Sequence, residues 1–240
     1  MILGMTNPVM ADADFAIKGL YKYELFGQEL WITTTHVSLA IVSICLLIFM
    51  IVANAKMKKA TAVPKGFQNV IELIVELMDN LVYGTMGKHY VRFRNYIGVL
   101  FMFLLFANIS GLFGLRPPTA DFSITFPLGL ITFVLINYNG FKANKFGHIK
   151  GLFEPMPFMF PVNFVGEIAV PISLSLRLFG NVMSGTVMMG LIYGLLPIWI
   201  KAGVPSVLHV YFDIFSGAIQ TYVFCMLTMV YIGDKIGAEE

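Results

Sequence analysis

Charge is what this chain lacks. Only 12% of its 240 residues are Asp, Glu, Lys or Arg, where soluble chains carry about 25%. Half of the expected solvated surface is therefore missing. With 58% hydrophobic residues and a mean hydropathy of +0.79, the chain reads as an integral membrane protein. A net charge of +2 gives no footing for nucleic-acid binding; where the charges sit matters more. Cysteine is scarce too. Cys45 and Cys225 lie inside apolar runs without metal-ligand spacing, so both are expected to be small buried hydrophobes. No cofactor or resident metal is expected. No Gly-rich phosphate loop occurs, which moves any nucleotide chemistry off this chain. No basic segment with a cleavage site opens it, so the spans themselves should direct insertion. An internal repeat is also missing, which disfavours an inverted-repeat transporter.

What is there is a set of apolar runs punctuated by basic clusters. Residues 1–29 hold Asp12, Asp14, Lys18, Lys22, Glu24 and Glu29 without helical periodicity, and are expected to form an aqueous arm or surface turn. Residues 30–55 carry no charge over 26 positions, more than the roughly 20 that a spanning helix needs. Lys56, Lys58, Lys59 and Lys65 follow. In residues 66–84, Val70, Leu73, Ile74, Leu77 and Leu81 recur at helical spacing while Glu72, Glu76 and Asp79 take another face. That pattern predicts an amphipathic helix too charged to span, at the membrane interface or against a soluble partner, and its acidic face favours protein contact over anionic lipid. Lys88, His89, Arg92 and Arg94 precede a helical hairpin over 95–141. Its turn is Arg116-Pro-Pro-Thr-Ala-Asp121, with Asp121 placed to cap the returning helix. Lys142, Lys145, His148 and Lys150 form the third basic cluster. By the positive-inside rule these three loops are cytoplasmic, the N-terminus lies outside and the C-terminus inside.

After Pro155, Pro157 and Pro161, a long hairpin is expected over 162–233, as two overlong helices. Thirty-five helical residues extend about 50 Å, well beyond a hydrocarbon core of about 30 Å, so such a helix must tilt or break. Its middle carries Arg177, flanked by uncharged residues from 168 to 176 and from 178 to 200. A guanidinium cannot shed its charge, and burial at mid-bilayer costs on the order of 2.5–3.5 kcal/mol by insertion scales. Such a residue faces a polar or water-filled place, the alternative being that it snorkels to a headgroup or pairs with a neighbouring helix. Ser173, Arg177, Asn181 and Ser184 share one helix face, although serines also bond their own helix backbone. On the last helix Asp213, Gly217 and Gln220 stack likewise, with His209 before them and Tyr231 beyond. Glu167 precedes the arginine by ten residues.

The run Pro161-Val-Asn-Phe-Val-Gly-Glu-Ile-Ala-Val-Pro171-Ile-Ser-Leu-Ser-Leu-Arg177-Leu-Phe-Gly-Asn181 closely resembles the a subunit of F-type ATP synthases. So do Pro118-Thr-Ala-Asp121 and Phe215 to Thr228 with Gln220. The resemblance implies a single all-α membrane domain: five membrane-embedded helices plus one interfacial helix, the last two forming a tilted hairpin against a ring of c subunits. It implies a stator with two aqueous half-channels in the cell membrane, beside the b subunits of the peripheral stalk and other synthase subunits. Protons, or sodium ions, would pass through it. Arg177 matches the essential arginine facing the ring carboxylate, and Asn181 and Gln220 match residues that hold or neighbour it. Asp213 falls where the family lines the outer half-channel with Glu or His, and His36 near the outer mouth. Glu167 falls where an acid lines the cytoplasmic side. Thr186 stands where some members carry a second outer acid; it can hydrogen-bond but not titrate. Two other readings remain: a self-contained channel or secondary transporter using Arg177 as substrate site, and a membrane scaffold.

Overall fold

The computed structural model describes residues 19–25, 28–58, 60, 66–87, 90–144, 153, 156–195 and 203–237. Residues 1–18, Pro155, the basic residues Lys59, Lys65, Lys88, His89, Lys145, His148 and Lys150, and the loop around Lys201 lie outside the described residues.

The expected arm is in part a β-hairpin. Strand β1 (Gly19–Leu25) pairs antiparallel with β2 (Gln28–Thr33), setting Lys22 opposite Trp31 and Glu24 opposite Glu29. The sequence does alternate there (Tyr21, Lys22, Tyr23, Glu24, Leu25), a period of two that marks a strand. Because β2 takes residues 30–33, the first span starts at Thr34 and not at Leu30.

Helix α1 (Thr34–Met57) is followed by α2 (Phe67–Met86) and α3 (Tyr90–Ile109), which a 3-10 turn at Ser110–Phe113 extends. A second 3-10 turn (Pro118–Ala120) leads into α4 (Phe122–Asn144). Asp121 caps α4 as expected, accepting the Ser123 N–H at 3.0 Å. Helix α5 (Phe160–Leu195) runs 36 residues, unbroken at Pro171. The last helix comes in three pieces: α6 (Val204–His209), a π-helical segment (Val210–Ser216) and α7 (Gly217–Ile236). Five stretches among the described residues are long and apolar enough to cross a membrane: 34–57, 91–113, 122–143, 160–194 and 207–236. Helix α2 is the sixth and is not among them.

Aromatic contacts fix the directions. Phe49 of α1 sits 6.0 Å from Phe106 of α3, while Met50 and Ala53 share a cavity with Arg94, Gly98 and Met102. Helices α1 and α3 are thus antiparallel, and the short turn makes α3 and α4 antiparallel too. The end of α1, the start of α3 and the end of α4 therefore share one basic end of the bundle.

The core is built on α7. Phe224, Cys225, Met229 and Ile232 pack with Ile97, Leu100 and Leu104 of α3, Ile136 of α4, Leu174 and Leu178 of α5, and Val82 and Met86 of α2. Helix α2 buries Ile71, Val82 and Met86 against the bundle; of the apolar face read in the sequence, Leu81 packs against the core while Val70, Leu73 and Leu77 stay exposed. The apolar arc runs on past Leu81 and Ile74 to Ile71 and Val82, and the bundle covers that edge of it, beside the acidic stripe. Asp79 ties that stripe to Arg94 at 3.3 Å. Of the two cysteines, Cys225 is buried as expected, whereas Cys45 is exposed on α1, the helix at the margin.

Candidate functional site

A cavity of about 340 Å³ opens where α5, the end of α3, the turn before α4 and the π-helical segment meet. Asn108, Arg116, Asn181, Thr186, His209 and Asp213 contribute to its lining. The structure thus brings together four residues singled out in the sequence: Asn181, Thr186, His209 and Asp213. Asp213 Oδ2 lies 2.7 Å from His209 Nδ1, and the other ring nitrogen of His209 lies 3.2 Å from the Tyr193 hydroxyl. Gly111 gives the carboxylate its room: a Cβ there would come within 3.1 Å of Asp213. The Asn181 amide donates to the Ser216 hydroxyl at 3.0 Å, and Thr186 donates to its own helix at Val182 O, 2.9 Å away.

Asn108 holds this end together. Its Nδ2 donates to Gly217 O at 3.1 Å and to Thr221 Oγ1 at 3.2 Å, and its Oδ1 accepts from Thr119 Oγ1 at 2.8 Å. One buried amide thereby links α3, the turn before α4 and the junction between the π-helical segment and α7. The two backbones approach closely because Gly217 has no side chain; a Cβ there would sit 2.9 Å from Asn108 Cβ. Gly217→Ala is therefore expected to destabilise the fold by about 1–3 kcal/mol through overpacking. The check is the amount of chain retained in membranes and its melting temperature against the parent.

Arg177 is placed differently. It is exposed on α5, on the same side as Ser173, Gly180 and Ser184, while Leu174, Ser175 and Leu178 are buried behind it. Among the described residues it forms no hydrogen bond or ion pair. The expected polar stripe is therefore split: Asn181 turns inward to Ser216, and Ser184 donates to Asn181 O at 2.9 Å on its own helix. Gln220 is buried on α7, with its Nε2 unpaired among the described residues; neither it nor Asn181 is hydrogen-bonded to Arg177.

Glu167 lies at the basic end, ion-paired with Lys235 of α7. A second, smaller cavity of about 60 Å³ forms there, lined by Glu167, Lys235, Asn137, Tyr231 and Asp234 with apolar neighbours. Pro171 has no N–H, so the Glu167 carbonyl loses its helical donor at the same place. His36 joins neither cavity. It sits at the start of α1, where its Nδ1 accepts the Thr33 N–H at 3.4 Å and lies 2.7 Å from the Thr33 hydroxyl.

Sequence reasoning missed Asn108, Ser216, Tyr193 and Lys235 as members of these sites. A lone amide inside the apolar run Phe106-Ala-Asn-Ile109 was a usable signal for Asn108, since a polar residue in a span seldom lacks a partner. Lys235 carried no such mark, standing at a helix end where lysine is ordinary.

Comparison with known proteins agrees with this architecture. Residues 36–233 match the family ATP synthase A chain. The chain is 41% identical over 212 residues to the ATP synthase subunit a of Propionigenium modestum, described as sodium ion specific, covering 81% of this chain and 72% of that one. It is 33% identical to the subunit a of Priestia megaterium over 227 residues, covering 88% and 96% of the two chains. The subunit a of Moorella thermoacetica is 32% identical over 207 residues, covering 85% and 91%. The chain belongs to the ATP synthase A chain family, as a multi-pass subunit of the membrane sector.

Proposed function

We propose that this chain is the ion-translocating stator of a rotary F-type ATP synthase, and that Arg177 faces a carboxylate on a rotating ring of c subunits. The observation that carries this is the placement of a bare guanidinium between two cavities at opposite ends of the bundle. At 1.5 Å per residue, Arg177 lies about 15 Å along α5 from Glu167 and about 6 Å from Asn181. The larger cavity serves as the outer half-channel, with Asp213 as its acid; the smaller serves as the cytoplasmic one, with Glu167. The basic end is cytoplasmic, which places the N-terminus outside and the C-terminus inside the cell membrane. Unbroken, α5 fits a bilayer only by tilting, and that slant lays its exposed face along the ring. The b subunits of the peripheral stalk hold the chain against rotation.

The chemistry follows from a fixed charge in low dielectric. An ion arriving by one half-channel binds a ring carboxylate, neutralises it and rides into the lipid. On reaching Arg177, the carboxylate is favoured in its ionised form and gives the ion up to the other half-channel. The same cation blocks a short circuit, because a bare proton or sodium ion meets like charge there. The coupled ion is a proton or a sodium ion: the proton is the family default, and the relative described as sodium ion specific supports sodium. ATP chemistry belongs to other subunits. A self-contained transporter using Arg177 as its substrate site fits less well, since ligand sites are concave and this side chain lies on an exposed helix face.

Reconstitution separates these readings. The chain alone in vesicles is expected to carry no sustained ion flux, while the assembled synthase pumps on addition of ATP. Sustained flux through the isolated chain would sink the stator reading. Dependence of pumping on sodium, against its sensitivity to a proton uncoupler, identifies the ion.

A further inference from the structure

We infer that Lys235 is a latch on the smaller cavity: its ammonium occupies the Glu167 carboxylate that a departing cation needs, so this exit is shut at rest and opens when Lys235 leaves. The inference rests on the reading above that ions pass Glu167. The two cavities differ in a way that calls for such a device. The larger one holds its acid within a single helical turn, Asp213 against His209, and keeps about 340 Å³ of space. The smaller one is crossed from helix to helix by an ion pair joining residues 68 apart in the chain, and about 60 Å³ is left.

The walls make Glu167 hard to bypass. Phe133, Ile136 and Val170 offer no ligand to a cation; Asn137, Tyr231 and Asp234 add polar groups from α4 and α7. Glu167 is the one carboxylate on the α5 wall among the described lining residues, where its own carbonyl, stripped of its donor by Pro171, adds a second oxygen. A monovalent cation passing here competes with a tethered cation of equal charge for the same oxygens. The pair is also suited to opening. Its side chains keep 32% (Lys235) and 20% (Glu167) of their exposure, so the pair is not sealed inside the protein and holds less firmly than a fully buried one. Lysine, a compact charge on a flexible four-carbon stem, can swing where an arginine fork would hold.

The test is passive ion flux through synthase membranes stripped of the catalytic sector, driven by a potassium diffusion potential and normalised to assembled complexes. Lys235→Met removes the competitor and is expected to raise flux about threefold or more. Glu167→Gln breaks the same bond but leaves the ammonium in the cavity and removes the carboxylate paired with it, and is expected to lower flux about threefold or more. A pair that merely ties α5 to α7 is lost equally in both variants and moves flux the same way; that outcome, or no change in either, overturns the latch. Where the methionine variant does not assemble, Lys235→Gln takes its place. Arg177→Ala in the same membranes keeps the two levels apart. If coupling survives it, the ion-path reading has failed. If coupling is lost while the two exit variants move together, only the latch has failed.

Discussion

Replacing Arg177 by alanine is expected to lower coupled ATP synthesis by at least about a hundredfold, while the complex still assembles. Each tenfold corresponds to about 1.4 kcal/mol. Two unit charges 4 Å apart interact by about 4 kcal/mol at an effective dielectric of 20, so one lost ion pair covers that loss. Assembly survives because the guanidinium makes no hydrogen bond or ion pair among the described residues, and the side chain points away from the core. Without the cation, a ring carboxylate leaving the lipid has nothing to favour its charged form, and desolvation keeps its ion bound. Arg177→Lys is expected to fall between parent and alanine, since an ammonium supplies charge but not the planar fork. Synthesis rates in inverted vesicles, normalised to the amount of assembled enzyme, check both. Synthesis by Arg177→Ala within a factor of two of the parent would return the chain to a scaffold role.

Asp213→Asn is expected to slow ion flux through the membrane sector by about tenfold or more. Asp213 is the only carboxylate lining the larger cavity among the described residues, where Thr186 cannot titrate and Arg116 is a permanent cation. The amide keeps the shape of the side chain and a hydrogen-bonding oxygen for His209, so packing changes little. Two further variants test whether position matters as much as charge. Asp213→Glu adds a methylene where Gly111 already yields its side chain, and Gly111→Ala places a Cβ 3.1 Å from the carboxylate. Both are expected to slow flux although the acid is retained. Flux equal to the parent in Asp213→Asn would mean that ions take a route which avoids this cavity.

Much of the architecture could be read from where charge is missing. The uncharged runs gave all five spans, the acidic stripe gave α2, and Asp121 was recognisable as a cap because it follows two prolines and precedes an apolar run. Failures came where a signal was short or depended on three-dimensional register. The β-hairpin alternates over only a few residues, too few to stand out beside a helix of 24. On α2 the apolar arc is wider than the contact with the bundle, and periodicity alone cannot say which edge of it is covered. Residues of the larger cavity came largely to hand because Asn181, Thr186 and Asp213 are polar in apolar surroundings. Their partners did not. Pairing Glu167 with Lys235, or Asn108 with Gly217, requires knowing which helices are neighbours, and more than 60 residues separate each pair.

The exposed flank of α5 also bears on the life of a copy that has not met its partners. Such an orphan holds a permanent charge against acyl tails, with an insertion penalty on the order of 2.5–3.5 kcal/mol. The exposed cation proposed to face the ring would therefore make an unassembled copy less comfortable in the bilayer than an assembled one.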